Sequence, residues 1–582
     1  ADLGRAGLAE AMRGDPVIRL AGGHTHAGAE AAAFAADDLA AALDALAPGI
    51  TGFAVASSFA TRNPGHEIAA RDMIRARTGL PVSCSHDLSQ ALNGPKRALT
   101  AVLNARLIGM IDRLIRACQA HLDSTGIDAR LMVVRGDGAL ISADVARDRP
   151  IETILSGPAA SVAGAQWLTG ATDALISDIG GTTTDVCLLQ DGRPRIDPRG
   201  AQVGPFRTMV EAVAMRTTGL GGDSEVHVQP GLDGGLRLGP RRAMPISLAA
   251  MQFPEVVHAA LDHALGQEIA ARDAGTFIVP MWDTLPSGLD AKEAVIADRL
   301  SAGPLPLNKA VRSRMESPAL ARMLARGQVL QAAVTPSDAA HVAGLTDAWD
   351  DAAAAKALAL FARKRTDAGQ PIAADTQAMA QMIIDQLTAQ TVTCLLQSAF
   401  AEDDLNWEDP VGLAAHPLTR AGLDRHAGVV AVNLSLGVPV IGLGASAGTY
   451  YGAVGERLGT QMIVPDHAGV ANAIGAVVGQ VRMQASGTIT SGGDSAYIAH
   501  LPDGPQSFGQ LEDALKALRD VLQDQASRHV RAAGVDDVHF AENLDLQEID
   551  VDGRRMFIEA AVRIIASGRP RIADDALSGP MR

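Results

Sequence analysis

A glycine-rich turn between two apolar runs is the feature that most constrains how this chain folds. Residues 177–186 read Ser-Asp-Ile-Gly-Gly-Thr-Thr-Thr-Asp-Val, and apolar residues continue on both sides. Two apolar runs joined by a short glycine turn predict a β-hairpin. The pair Asp191-Gly192 follows the second run and predicts a tight turn into a further strand.

The turn carries groups that suit a phosphate. Because Gly180 and Gly181 lack a Cβ, their backbone amides can approach an oxyanion and adopt positive φ at little steric cost. Hydroxyl donors follow from three successive threonines, Thr182, Thr183 and Thr184. The plain alternative is a polar hairpin turn, but such a turn does not need this density of donors. The turn therefore predicts a phosphate-binding loop.

A carboxylate stands on each side of the turn, at Asp178 and Asp185. Carboxylates repel a phosphate, so this placement predicts that the two side chains bind Mg²⁺ or its waters between the protein and a nucleotide. The turn is not a Walker loop, because no Gly-Lys-Ser/Thr follows and no helix opens after the glycines. It also differs from the dinucleotide fingerprint, which leads into a helix.

A phosphate turn at the tip of a hairpin resembles that of the actin, Hsp70 and sugar-kinase superfamily. Residues 217–224 are similar to the glycine loop that follows the second phosphate hairpin in those proteins. The resemblance implies that three residues of this loop flank the phosphate tail, namely Gly221, Gly222 and Asp223.

Residues 438–449 form a third element, in which a short apolar strand runs into small residues and then a helix. Small residues let a flat ring lie against the backbone, and the stretch is similar to the adenosine-binding loop of the same superfamily. The resemblance places Gly442, Gly444 and Ala445 beside the adenosine. A packing turn between a strand and a helix is the alternative.

Further motifs narrow the resemblance to one family. They are the hairpin, residues 155–162 (Leu-Ser-Gly-Pro-Ala-Ala-Ser-Val), Ser58-Phe59 with residues 63–67, and residues 472–475 (Asn-Ala-Ile-Gly). Together they resemble the A subunit of the hydantoinase/5-oxoprolinase family, which includes N-methylhydantoinase, caprolactamase and the ketone carboxylases. The resemblance covers residues 1–479.

The resemblance implies an α/β fold of the actin/Hsp70-like (ribonuclease H-like) type, a two-half ATPase with a helical insertion and a small α/β C-terminal tail. Residues 1–172 would be the remainder of the first half and residues 173–486 the second half, with the insertion at 241–365. Residues 487–582 would form the C-terminal domain. In the first half we expect strands at residues 50–57, 81–85 and 130–134 and helices at 66–77 and 95–122.

The same resemblance implies ATP and Mg²⁺ as cofactors and a hydantoinase B-like subunit as partner in an oligomeric assembly. The implied reaction opens a cyclic amide of hydantoin, 5-oxoproline or lactam type by phosphorylating its carbonyl, with Asp178 and Asp185 as the catalytic carboxylates. A subunit of an ATP-dependent ketone carboxylase and a noncatalytic nucleotide-binding relic are the alternatives.

Two departures from the family pattern bear on these expectations. Residues 1–100 lack the first phosphate hairpin that relatives carry, so the chain is either a fragment or has lost half of its phosphate clamp. Many relatives have a further glycine and a serine after the glycine pair, whereas this chain has Asp223-Ser224. That difference indicates a subgroup with altered metal or phosphate contacts.

Composition excludes several other classes. A formal net charge of −16 over 582 residues argues against nucleic-acid binding, which requires a basic surface. No signal peptide and no long apolar run is evident, so the sequence predicts a cytoplasmic protein without membrane segments. The four cysteines are far apart, which argues against a disulfide framework, and Cys118 falls on an apolar helical stripe that predicts a core position.

Three polar clusters leave their role open. His24 and His26 could ligate zinc with Glu30, although no further strong ligand is evident. His86-Asp87 after Cys84 is a weaker metal candidate, which a solvated loop explains equally well. The run Thr335-Pro336-Ser337-Asp338 predicts a helix start with a threonine cap, and a role near the substrate is the alternative.

Overall fold

A computed structural model describes residues 7–46, 48–231, 234–271, 273–492, 496–551 and 554–570. The chain divides into two units. Unit 1 comprises Ala1–Gly164, Pro194–Ala214 and Asn472–Arg582, and unit 2 comprises Ala165–Arg193 and Met215–Ala471. Each unit is built from separate stretches of the chain, whereas the three predicted domains are consecutive segments. The boundaries of those domains stay a prediction.

The helices of the described residues are α1 Leu8–Met12, α2 Ala36–Asp44, α3 Gly65–Thr78, α4 Ser85–Leu88, α5 Gly94–Thr125, α6 Ala143–Asp148, α7 Ser156–Thr169, α8 Ile246–Gln252, α9 Pro254–Leu265, α10 Ala291–Arg299, α11 Leu307–Ala310, α12 Ser317–Ala325, α13 Pro336–Val342, α14 Asp351–Ala362, α15 Thr376–Glu402, α16 Pro410–Ala415, α17 Pro417–Leu423, α18 Ala447–Leu458, α19 Ala471–Val478 and α20 Leu511–Ala532. Short 3-10 turns span Pro150–Thr153, Leu300–Ala302 and Ala468–Val470.

The strands are β1 Phe53–Val55, β2 Val82–Cys84, β3 Met132–Val134, β4 Leu140–Ser142, β5 Ala174–Ile179, β6 Thr184–Gln190, β7 Arg193–Pro194, β8 Gln202–Val203, β9 Phe206–Arg207, β10 Met215–Thr218, β11 Ser224–Val228, β12 Leu236–Arg242, β13 Phe277–Pro280, β14 Leu305–Pro306, β15 Val329–Ala332, β16 Val440–Leu443, β17 Met462–Ile463, β18 Val481–Ser491, β19 Tyr497–Leu501, β20 Gly504–Phe508, β21 His539–Val551 and β22 Arg554–Gly568.

The central sheet of unit 2 has the strand order β10-β6-β5-β16-β17. Strand β6 pairs antiparallel with β5 on one side and β10 on the other, and the short strand β7 also pairs with β6. Strands β16 and β17 add in parallel on the other side of β5. The sheet is therefore mixed, with an antiparallel meander on one side of β5 and parallel strands on the other. The predicted hairpin is therefore the β5–β6 pair at the centre of this sheet.

The core of unit 2 joins this sheet to the long helix α15. Buried residues of the sheet such as Leu175, Val186 and Val440 share one apolar cluster with Met379, Ile383, Leu387 and Leu395 of α15. The predicted insertion at 241–365 contains helices α8 to α14, but it also carries the three-stranded sheet β14-β13-β15. Helices therefore predominate in this region, as predicted, and a small sheet accompanies them.

Unit 1 contains the sheet β20-β19-β18-β22-β21, to which β4 adds in parallel beside β18. The amphipathic helix α20 covers it with a stripe of fully buried residues, Ala514, Leu518, Leu522, Ala526 and Val530. Elsewhere in the unit, β1 and β2 pair in parallel, with Phe53 opposite Val82.

Local predictions for unit 1 are largely confirmed. The helices predicted at residues 66–77 and 95–122 are α3 and α5, and the three predicted strands are β1, β2 and β3, each shorter than expected. The prediction for Cys118 is wrong, because its side chain is exposed on α5. Among the residues that the structure describes, no helix combines the length and the apolar character needed to cross a bilayer.

Candidate functional site

The predicted phosphate turn forms the tip of the β5–β6 hairpin. The amide of Gly180 donates to the carbonyl of Thr183 at 2.9 Å, which closes a tight turn. Gly180, Gly181 and Thr182 are exposed at this tip, whereas Thr183 is half-buried. Thr184 is fully buried, and its hydroxyl donates to the carbonyl of Leu220 at 2.8 Å. Thr184 therefore holds the neighbouring loop, while the glycines present open backbone.

Asp178 and Asp185 lie directly opposite each other on the two strands of the hairpin. Side chains of opposed residues in an antiparallel pair point to the same face, so the two carboxylates share one side of the sheet. The hydroxyl of Thr217, on the third strand, donates to Asp185 Oδ1 at 2.5 Å. Burial and the nearby Asp178 raise the pKa of Asp185, which this hydroxyl opposes. A cation held between Asp178 and Asp185 would relieve the repulsion between their charges.

The loop of residues 219–223 rests against the hairpin tip. The amides of Gly222 and Asp223 donate to the carbonyls of Gly180 and Gly181, at 3.2 and 2.7 Å. A Cβ on Gly221 would lie 2.4 Å from the carbonyl oxygen of Gly180, so only glycine fits there without moving backbone. The structure thus brings the hairpin and the glycine loop together, as their motifs predict.

The third predicted element reaches the same hairpin at one residue. Gly444 follows β16 with φ +103°, and a Cβ there would lie 2.1 Å from the carbonyl oxygen of Ile179. Ala445 is exposed beyond it. Gly442 is instead buried inside β16, where a Cβ would lie 2.8 Å from the ring of Tyr451. Gly442 therefore makes room for the Tyr451 ring, and the open backbone lies at Gly444 and Ala445.

Helix α13 supports the glycine loop in a way that the sequence did not reveal. The amide and the hydroxyl of Ser337 both donate to the carbonyl of Gly222 at 2.9 Å. The predicted cap is confirmed: Thr335 and Asp338 form a capping box at the start of α13. Asp338 also accepts from the amide of Ser247, at 2.8 Å, and from the amide of Ile246, at 3.1 Å.

The close approach of Gly221 gives a testable prediction. Gly221→Ala should lower the free energy of unfolding by about 1–3 kcal/mol, because the methyl group must push back the hairpin backbone. The matched control is Gly448→Ala, at an exposed position of α18 where a Cβ would meet nothing within 4 Å. That change should be neutral or stabilising by up to about 1 kcal/mol, since alanine favours a helix. Urea unfolding of both variants measures the difference, and equal effects would contradict the close loop packing.

The arrangement fits a nucleotide with a divalent cation on chemical grounds. Oxygen ligands are what Mg²⁺ prefers, and Asp178 and Asp185 are the carboxylates that would hold it or its waters. Open glycine backbone and threonine hydroxyls at the tip supply the donors that a phosphate needs. When bound, Mg²⁺ would neutralise phosphate charge and so favour phosphoryl transfer.

The predicted zinc ligands His24, His26 and Glu30 do not come together as a metal site among the described residues. Within the described ranges, the one group of three His, Cys, Asp or Glu side chains close enough for a shared ion is Glu67, Cys84 and His86, which omits His24 and His26. His24 packs instead against the His66 ring, with 4.3 Å between ring centroids. The Nδ1 atom of His66 accepts a hydrogen bond from the amide of Gly23 at 2.8 Å, and its Nε2 atom lies 3.0 Å from Glu30 Oε1.

Glu67 is the residue of the second metal candidate that the sequence did not point to. Its fully buried carboxylate accepts from the Ser57 amide, the Ser85 hydroxyl, and both the amide and Nδ1 of His86, at 2.6 to 3.0 Å. Burial and Glu67 raise the pKa of the Cys84 thiol, which keeps it protonated. These bonds saturate the carboxylate, so the cluster is accounted for as a buried polar network that joins α3 to α4 and to the residues after β1.

Comparison with known proteins agrees with the motifs. Residues 97–250 match the family model described as Hydantoinase/oxoprolinase. The caprolactamase alpha subunit of Pseudomonas jessenii is 31% identical over 196 residues, which cover 33% of this chain and 28% of that protein. The acetophenone carboxylase gamma subunit of Aromatoleum aromaticum is 29% identical over 199 residues, covering 31% and 26%. The matched residues thus span less than a third of the length of either relative.

The fold is shared more widely than the sequence. The crystal structure of the ATP-dependent caprolactamase from Pseudomonas jessenii matches with a TM-score of 0.56 at 18% identity, over 97% of this chain and 71% of that one. At this identity the similarity concerns the fold, and it confirms the predicted α/β class of actin/Hsp70-like type. The family match and the two relatives show that part of the chain is similar to the hydantoinase/oxoprolinase family, and the resemblance drawn from its motifs is confirmed.

Proposed function

We propose that the chain is the A subunit of an ATP-dependent hydrolase that opens a cyclic amide of hydantoin, 5-oxoproline or lactam type. The observation that carries this proposal is the meeting of three loops in unit 2. The hairpin tip at Gly180, the glycine loop at Gly222 and the turn at Gly444 are held together by backbone hydrogen bonds and close backbone approach. A relative named as a caprolactamase subunit supports the choice of a cyclic amide.

Amide carbonyls are poor electrophiles, and a ring nitrogen is a poor leaving group. Transfer of the γ-phosphoryl group from ATP to the amide oxygen releases ADP and makes the ring carbon electrophilic. Water then adds to that carbon, the ring C–N bond breaks as the nitrogen takes a proton, and a second water hydrolyses the resulting acyl phosphate to the carboxylate and phosphate. The protein contributes chiefly positioning and charge neutralisation to such a transfer. In this proposal Gly180, Gly181 and Thr182 bind the phosphates, and Asp178 and Asp185 hold the cation.

The other expected roles stay predictions at their positions. Thr183, Gly221, Gly222 and Asp223 would border the phosphate tail, and Gly444 with Ala445 the adenosine. The two relatives above carry subunit names, which supports assembly with other chains. We also propose a hydantoinase B-like subunit as the partner and a cytoplasmic location.

A second candidate is the ATP-dependent carboxylation of a small ketone, which the similarity to an acetophenone carboxylase subunit supports. The two reactions differ in their second substrate. A hydrolase releases ADP and phosphate when a cyclic amide is present, whereas the carboxylase requires bicarbonate and would release AMP and phosphate.

Nucleotide turnover with a B-like subunit tests both candidates. We expect ADP release that depends on a lactam, hydantoin or 5-oxoproline and does not change when bicarbonate is added. Bicarbonate-dependent AMP release with a ketone would contradict the hydrolase and favour the carboxylase. Binding of Mg-ATP without turnover of any of these substrates would contradict both, and would indicate a noncatalytic nucleotide-binding subunit.

A further inference from the structure

Asp223 brings a third carboxylate to the candidate phosphate site. Its amide bonds to the carbonyl of Gly181, so its backbone is fixed at the hairpin tip. A Cβ on Gly181 would lie 2.5 Å from Asp223 Oδ2, so the carboxylate lies against one side of that exposed glycine. A negative side chain thus lies where the proposed function needs an anion to approach.

The cation that balances Asp223 is Arg242, at the end of β12. Its Nη2 lies 3.3 Å from Asp223 Oδ2. Burial raises the pKa of Asp223, and Arg242 opposes that rise. The pair is unequal, because the side chain of Asp223 is 14% exposed whereas that of Arg242 is 58% exposed. The carboxylate is therefore fixed, while the guanidinium is free to turn about its long side chain.

The backbone beneath Arg242 is anchored in the same loop region. Arg242 pairs with Ser224 at the end of the β11–β12 hairpin, next to a bulge. The residue is thus held one position from Asp223, and its planar guanidinium has the geometry to bind a phosphate through two hydrogen bonds. An incoming phosphate would compete with Asp223 for this cation.

We infer that Arg242 is a phosphate-binding residue that pairs with Asp223 before nucleotide binds and turns to the terminal phosphate when ATP binds. This inference rests on the proposed function. Asp223 is then a positioning residue, because it holds the Arg242 guanidinium beside the hairpin tip. In a variant without this arginine, the Asp223 carboxylate would repel the phosphate. The site then selects nucleotides by their terminal phosphate.

The adjacent Arg241 provides a matched control. Its side chain is equally exposed, at 58%, but it points to Glu225, with Nη1 3.4 Å from Oε2, and to Gln331. Successive residues of a strand point to opposite faces, so removing this guanidinium leaves the hairpin tip unaffected. Because the two arginines carry the same charge at neighbouring positions, removing either one lowers the net positive charge near the site equally. A difference between the two variants therefore reports direct contact with the phosphate.

Calorimetric titration with Mg-ATP, Mg-ADP and AMP tests the inference. Arg242→Ala should weaken ATP binding about 10- to 100-fold, the effect of losing a charged hydrogen bond, with AMP binding unchanged. Arg242→Lys should recover part of the loss, and Arg241→Ala should bind all three as the wild type does. Asp223→Asn should tighten ATP binding, because it removes a charge that repels the phosphate and competes for the Arg242 guanidinium.

The possible results distinguish failure of the proposed function from failure of the inference about Arg242. Wild-type protein that binds none of the nucleotides would overturn the proposed function, and the inference with it. Wild-type protein that binds ATP, with equal affinity in Arg242→Ala, would overturn the inference alone. Equal losses for ATP and AMP in Arg242→Ala would also overturn it, because they indicate a structural role and not contact with the terminal phosphate.

Discussion

Replacement of Asp178 or Asp185 by asparagine should weaken Mg-ATP binding by about 100-fold or more, because a metal–carboxylate contact at a phosphate is worth several kcal/mol. Asparagine keeps the size of the side chain, and the two residues stay in register across the hairpin. The fold should therefore remain, and what is lost is the charge that holds the cation. Isothermal titration with Mg-ATP measures the effect, and circular dichroism checks the fold.

Asp191→Asn is the control for this pair. Asp191 is exposed at the far end of β6 and has a left-handed backbone with φ +50°, a conformation that asparagine also adopts readily. This variant should bind Mg-ATP as the wild type does. Wild-type affinity in both Asp178→Asn and Asp185→Asn would remove the assignment of the hairpin as the phosphate and cation site.

Replacement of Asp338 by asparagine should lower the free energy of unfolding by about 3 kcal/mol. The fully buried carboxylate accepts from the amides of Ile246, Ser247 and Thr335 and from two hydroxyls. An amide group turns a donor toward at least one of these amides, and each buried donor left without an acceptor costs about 1–3 kcal/mol. Urea unfolding followed by circular dichroism measures the change.

Asp375→Asn provides the comparison for Asp338. Asp375 caps helix α15 by accepting from the amide of Ala378 at 2.8 Å, and asparagine caps a helix about as well as aspartate. Its free energy of unfolding should change little. If Asp338→Asn is no more destabilising than this control, the carboxylate does not join α8 to α13 as the structure indicates.

Local sequence was enough to predict the elements of the candidate site. Turn chemistry at Gly180 and Gly181 predicts the hairpin, because a tight turn and its flanking apolar strands are fixed by residues close in sequence. The cap at Thr335 follows the same rule, since its partner lies three residues away. Such patterns need no knowledge of distant parts of the chain.

What the sequence could not show depends on long-range packing. Asp338 reads as a cap residue, and nothing near it indicates that it also reaches Ser247, ninety-one residues earlier. Glu67 gains its donors from residues 57, 85 and 86, which only the β1–β2 pairing brings together. Gly442 makes room for the ring of Tyr451, nine residues further along the chain, and its place beside the adenosine stays a prediction.

The error at Cys118 has the same origin. Apolar residues recur along α5 at helical spacing, which predicts a buried face over its whole length. The structure buries Leu99 and Leu103 near its start but leaves Met110 and Leu114 more than half exposed. Periodicity shows that a helix has an apolar stripe, but not how far a neighbouring element extends along it.

Strand β4 pairs with β18 through Leu140 and Val481, roughly 340 residues apart in the chain. At ribosomal speeds of about 5–20 residues per second, β4 waits about 20–70 s for its partner to be made. Unit 2 is synthesised within that interval, so its own sheet can form while the edge of unit 1 is still unpaired. In ribosome-bound nascent chains, the side of β4 that pairs with β18 should therefore be accessible to chaperones. How long it stays accessible depends on the distance between the two strands in the sequence and not on the stability of the folded protein.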